Sequence, residues 1–198
     1  MTTLLALLAN FVAGALTWTF LEWLLHGQLF HTRKLRNSFA KEHALHHADP
    51  THMVGWPRKL LGVAFVIGVG VAVLRLALGD FEAATAFPVG LGLMYVVYES
   101  VHRIIHMKAP RTAYGRWLRL QHVQHHFHTP RRNFGVTSTV WDHVFGTYVP
   151  FTTPLAVPRR LAMPWLLDPE TGELADAYVD DYVLVRRTRD VPESAVPA

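Results

Sequence analysis

The sequence predicts an all-α membrane protein in which about three transmembrane helices are capped by a cytosolic, histidine-rich helical metal-binding domain. Three observations carry that expectation. Only 17% of the 198 residues are charged while 51% are hydrophobic, against the quarter charged that is usual in soluble domains. Three stretches are apolar over the roughly 20 residues that a bilayer crossing needs. Ten of the thirteen histidines fall into four tight clusters with helical spacing.

The first apolar stretch covers residues 4–25 and is interrupted only by Asn10 and Glu22. It lacks a basic leader, and its apolar run exceeds the ~7–15 residues of a signal peptide, so it reads as a retained span. The second covers 60–78, with Arg75 near its end, where a long side chain can reach headgroup water. The third covers 83–101, contains Pro88 and ends with Glu99.

The connections set the orientation. Arg33, Lys34, Arg36, Lys41, Arg58 and Lys59 lie between the first two spans, and Arg103, Lys108, Arg111, Arg116 and Arg119 follow the third. The turn of Gly79, Asp80, Phe81 and Glu82 between spans two and three carries no positive charge. Basic loops stay on the cytoplasmic side, which places all four histidine clusters on that one face. The short, Ala/Val/Arg-rich chain points to a bacterial inner membrane.

The clusters read His26-x4-His31, His43-x2-His46-His47, His102-x3-His106 and His122-x2-His125-His126. On a helix, residues i, i+3 and i+4 share a face, so each HxxHH cluster and the HxxxH pair should aim its imidazoles together. Neutral imidazole is the commonest protein ligand for metals. Ten such ligands are too many for one ion, and four or five nitrogens for each of two ions is the natural division. His26 and His31 would sit about 140° apart on a regular helix, and a break at Gly27 would bring them together. Ligand imidazoles usually donate their second N–H to a carboxylate or carbonyl, so Glu22, Glu42, Glu99, Asp142 and His143 are expected to support the centre from behind. Glu99, one helical turn before His102 and near the edge of a span, is the candidate for a catalytic role.

Other chemistries fit less well. The absence of cysteine removes disulfides, zinc–thiolate sites and iron–sulfur clusters, so electrons must come from a partner. The net charge of +4 is carried by residues flanking apolar spans, with no basic stripe of the kind that reads nucleic acid. A transporter would place ionisable groups along a mid-bilayer path; a zinc hydrolase could use Glu42 as its base but scarcely needs ten histidines. Residues 1–150 carry 14 Lys and Arg against 7 Asp and Glu, and residues 151–198 carry 5 against 8. The chain is accordingly divided into a transmembrane and dimetal domain, 1–150, and a polar tail, 151–198, whose last ten residues are expected to be disordered.

The ordered clusters, with the run QHVQHHFHTPRRNFGVTSTVWDHVFGTY at 121–148, resemble the fatty acid hydroxylase superfamily of integral-membrane diiron enzymes. That group includes fatty acid 2-hydroxylases, sterol desaturases and oxidases, and carotenoid hydroxylases. The resemblance covers residues 22–148 and is stronger toward the fatty acid and sterol branches. It implies that His26, His31, His43, His46, His47, His102, His106, His122, His125 and His126 hold two iron ions, with zinc able to replace them in a purified form. It also implies that O2 is activated there to hydroxylate or desaturate a lipid C–H bond, most readily of a fatty acyl chain. A sterol or carotenoid substrate, and a non-enzymatic membrane metal-binding protein, are the alternatives. The electron donor is expected to be a separate cytochrome b5-like or ferredoxin-like protein.

Overall fold

The computed structural model describes residues 2–31, 38–79 and 81–190. Arg33, Lys34, Arg36 and Asp80, used above for orientation, and residues 191–198 of the expected disordered end lie outside the described residues. The chain forms two compact units, one of Met1–Glu22 with Val54–Ser100 and the other of Trp23–Met53 with Val101–Ala198.

The first unit is built from α1 (Thr2–Leu24), α3 (Trp56–Leu78) and α4 (Phe81–Met107); α1 and α4 end in the second unit. Pro57 in its first turn and Gly79 beyond its last bound α3, the positions where the missing N–H and a left-handed φ cost least. Gly79 sits at φ 66°, its N–H donating to the Arg75 carbonyl. Two segments, Thr3–Phe30 and Trp56–Ala77, are long and apolar enough to cross a bilayer. Their apolar side chains face outward: Leu5, Leu16, Leu61, Phe65 and Leu76 are all exposed. Such a surface suits lipid rather than water. The third expected span falls on the 27-residue α4, which contains Pro88; among the described residues, the two segments above meet the length and apolarity that a crossing needs. Helices α1 and α4 meet backbone to backbone. A Cβ added at Gly14 would lie 2.0 Å from the Phe87 carbonyl oxygen, and one at Gly90 2.0 Å from that of Phe11. Small residues permit this approach where helices associate in lipid.

The second unit carries α2 (Ser38–Ala48), α5 (Ala113–Phe127) and the short α6 (Val140–Val144). Helix α5 starts at Thr112, whose Oγ1 accepts the Gly115 N–H at 3.0 Å, a side-chain cap. The fold is not purely helical. Strands β1 (Leu155–Pro158) and β2 (Tyr182–Val185) pair in parallel, Leu155 opposite Tyr182 and Val157 opposite Leu184. Both segments are short runs rich in β-branched, aliphatic and aromatic residues, which suit a strand. Parts of the segment after residue 150 are therefore packed against α5. Leu155, Val157, Met163, Leu166 and Tyr182 form the hydrophobic core with Leu120 and Val123 of α5. That core fixes α5.

The end of α4 is tied down by side chains. Buried Arg119 donates to the carbonyls of Ile104, at 2.9 Å, and Lys108, and also to Gly115 of its own helix. Trp165 donates its indole N–H to the Ile105 carbonyl at 2.9 Å, and Arg119 lies over its ring. A helix leaves its last carbonyls without intrahelical donors; here Arg119 and Trp165 supply donors in the turns that carry His102 and His106.

Candidate metal centre

Residues Leu25–Phe30 continue α1 as a π-helical turn. The His31 N–H donates to the His26 carbonyl at 3.3 Å, closing a ring one residue wider than in an α-helix. Residues five apart thus reach one side, and the two imidazoles lie 5.1 Å apart. The chain widens at this point; it does not break at Gly27 as the sequence suggested. Gly27 has another use, because a Cβ there would stand 2.9 Å from the Phe134 ring.

All ten clustered histidines come together within the second unit, in two groups of five. One holds His26, His31, His43, His47 and His125; the other holds His46, His102, His106, His122 and His126. Within each group the candidate ligand atoms lie within 4.8 Å of one another. Both HxxHH clusters divide in the same way. His43 and His47 share one group and His122 and His126 the other, while His46 and His125, the middle members, each cross over. The expectation that a whole cluster aims one way is corrected: i and i+4 stay together and i+3 does not.

Nine of the ten rings turn Nε2 toward the Nε2 of another ring in their group. In the first group, Nε2 to Nε2 distances are 3.2 Å for His26–His43, 2.8 Å for His43–His31, 3.1 Å for His31–His125 and 3.2 Å for His125–His47. In the second they are 3.1 Å for His46–His106, 2.8 Å for His106–His122 and 3.1 Å for His122–His126. Three rings are fixed from behind by backbone. His26 Nδ1–H donates to the Phe134 carbonyl at 2.5 Å, His125 Nδ1–H to that of Arg132 at 2.7 Å, and His46 Nδ1–H to that of His52 at 3.0 Å. A carbonyl only accepts, so each of these nitrogens carries the proton and each Nε2 keeps its lone pair. Burial pushes the His31 imidazole down to about 4 and that of His125 to about 3, and drives His43, His47, His106, His122 and His126 well below the ordinary value. Neighbouring imidazoles add to the effect at the last five. Ten imidazoles gathered in two close groups, most of them buried, form a donor set that fits metal cations, and the nitrogen ligands suit iron, zinc or copper.

The supporting residues act at one remove. Asp142, fully buried, accepts the N–H groups of Phe134 at 2.9 Å and Gly135 at 2.8 Å and the Thr147 hydroxyl at 2.6 Å. It thereby orders the turn whose carbonyl meets His26. Glu42 accepts from His52 Nε2 at 3.0 Å, bracing the residue whose carbonyl meets His46. His143 is exposed, donates to the Thr139 carbonyl and stacks on Tyr148; it touches no clustered imidazole. Glu22 and Glu99 are buried in the first unit, and Glu99 is ion-paired with Lys59. The sequence reading missed the carbonyls of Arg132, Phe134 and His52, which no side-chain pattern announces. It also passed over Arg119 and Trp165.

A family model described as fatty acid hydroxylase matches residues 11–147. The chain is 33% identical over 150 residues to "Fatty acid 2-hydroxylase" of Macaca fascicularis, covering 71% of this chain and 39% of that protein. It is 32% identical over 139 residues to "Dihydroceramide fatty acyl 2-hydroxylase FAH2" of Arabidopsis thaliana, covering 68% and 58%. A solved structure, full-length scs7p with only the hydroxylase domain visible, superposes with a TM-score of 0.58 at 28% identity, covering 74% of this chain and 57% of that one. The chain thus spans less than two thirds of the length of these relatives. Its two groups of five imidazoles, its apolar helices and the match over 11–147 lead to one assignment: the chain belongs to the fatty acid hydroxylase family.

Proposed function

We propose that this protein is a membrane-bound lipid hydroxylase that uses O2 and electrons from a separate donor to oxidise a C–H bond of a fatty acyl chain. The observation that carries the reading is the pair of five-imidazole groups, each with its candidate ligand atoms within 4.8 Å of one another. His26, His31, His43, His47 and His125 would hold one iron, and His46, His102, His106, His122 and His126 the other. Bound there, an iron pair supplies the redox activation of O2 that attack on an unactivated C–H bond requires.

The chain's own residues prepare that site. Burial favours the neutral form of His31, His43, His47, His106, His122, His125 and His126, and the carbonyls of Phe134, Arg132 and His52 fix which nitrogen of His26, His125 and His46 faces the metal. Asp142 holds the Phe134 turn in place and Glu42 holds His52. The names of the relatives, fatty acid 2-hydroxylase and dihydroceramide fatty acyl 2-hydroxylase, support an acyl substrate. Arg103, Lys108, Arg111 and Arg116 support a centre on the cytoplasmic face, with α4 as a third crossing. Glu99 is proposed to hold Lys59 in place rather than to accept a proton, because its carboxylate is already paired.

Lipid profiling of cells with and without the gene product, beside a His125→Ala control, tests this. Hydroxylated acyl species that vanish in the control support it. An unchanged lipidome with metal still bound stoichiometrically would replace it with a metal-handling role.

A further inference from the structure

Helix α6 and its surroundings have no part in the centre's donor set, yet they form an unusual surface. Val140, Val144 and Phe145 are 59%, 61% and 48% exposed, and Tyr114 is 57% exposed. Tyr114 is brought to this segment by its hydroxyl, which donates to the Thr137 carbonyl at 2.9 Å. Trp141 lies beside Phe145, with ring centroids 6.1 Å apart. Four exposed apolar and aromatic groups, with the partly buried Trp141 beside them, make a combination that a water-exposed surface does not favour.

The depth of this patch is set by a second contact. The Phe145 ring stacks on Trp23 at 4.2 Å, and the Trp23 indole N–H donates to the Thr147 hydroxyl at 2.9 Å. Trp23 belongs to Thr3–Phe30, a segment long and apolar enough to cross a bilayer, so α6 is fastened to the end of that segment. A basic group adjoins this surface. Arg132 binds the Gly146 carbonyl at 2.7 Å, directly after Phe145.

We propose that the α6 surface, Tyr114 with Val140, Trp141, Val144 and Phe145, docks into the headgroup region of the bilayer, with Arg132 beside it meeting anionic lipid. Aromatic rings favour that depth, and basic groups beside an apolar face strengthen binding to anionic membranes. The inference rests on Thr3–Phe30 crossing the membrane.

The chain has no cysteine, so single labelling sites are clean. Val144→Cys and Val140→Cys would each carry an environment-sensitive fluorophore in full-length protein reconstituted into vesicles of phosphatidylcholine and phosphatidylglycerol. Leu16→Cys on the exposed side of α1 reports the span, and Glu170→Cys reports water. Nitroxide lipids labelled near the headgroup should quench the Val144 and Val140 probes several-fold more than the Glu170 probe, and aqueous iodide should quench them several-fold less. Iodide reaching both α6 probes as readily as Glu170, while Leu16 remains quenched by lipid, overturns the docking alone. A Leu16 probe quenched only by iodide overturns the span, and the docking with it.

Discussion

His46 and His47 are adjacent on α2, yet their imidazoles belong to different groups of five. The cause is the 100° step between neighbouring helical residues. His47 keeps company with His43 one turn earlier, and His46 looks toward His106. His125 and His126 on α5 repeat the division. Two helices therefore each serve both positions.

Single truncations should separate the two positions. His46→Ala and His47→Ala are each expected to lower bound metal by about half, and the double variant to remove nearly all of it, since each position loses ligands independently while the fold persists. Metal analysis of purified protein gives the ratio. Equal and complete loss in both single variants would contradict two separable positions.

Gly27 is predicted to be intolerant of a larger side chain. Gly27→Leu would drive into the Phe134 ring and displace the carbonyl that meets His26. Overpacking of this kind costs about 1–3 kcal/mol. The unfolding midpoint should fall, and metal loss should exceed that of an exposed α1 variant such as Leu8→Ala.

Asp142 accepts three donors with no exposure. Asp142→Asn turns an amide N–H₂ toward at least one N–H, leaving a buried donor unsatisfied at about 1–3 kcal/mol. Thermal unfolding should show this cost, together with faster removal of metal by a chelator. Asn retaining wild-type stability would mean that the turn at 134–135 is held by other contacts.

The Lys59–Glu99 pair gives a test of Glu99 that separates structure from chemistry. Lys59 and Glu99 side chains are 14% and 9% exposed. Removing one partner strands a largely buried charge, at about 3–5 kcal/mol, whereas replacing both by neutral groups is often tolerated. Glu99→Gln should be destabilised and Lys59→Met/Glu99→Gln should recover. Hydroxylation that returns with stability in the double variant marks a structural carboxylate; activity still absent from a stable double variant marks a chemical one.

Arg119→Met should loosen the end of α4. It removes charge-assisted donors from the carbonyls of Ile104 and Lys108; Ile104 keeps the Lys108 N–H at 3.0 Å, so the expected cost is about 1–3 kcal/mol. Hydrogen exchange should rise in residues 104–108 before it rises in α5. Uniform exchange across both helices would show that Arg119 does not act locally.

Much of the centre was legible in the residue spacings. An i, i+4 pair of histidines needs only a regular helix to converge, and His43/His47, His102/His106 and His122/His126 all do so. His26 and His31 were harder, because five residues match no regular helical repeat and the widened turn that joins them follows from tertiary packing. The crossing over of His46 and His125 depends on where α2 and α5 lie, which local periodicity does not encode. Carbonyl partners were invisible for a simpler reason: every residue has one. In the membrane-facing part, apolar length marked three stretches, and each of them is helical in the structure. The packing of residues 155–184 was obscured by the acidic groups that surround short apolar strands.

The indole of Trp165 reaching the Ile105 carbonyl has a practical bearing. The family match stops at 147, and a fragment trimmed to that boundary would shed the tryptophan, both strands and most of the core behind α5. Its histidine motifs would all survive in the sequence, but the rods that present them would have lost their bracing. Excising the recognisable part of this protein is therefore a way to discard the part that makes it rigid.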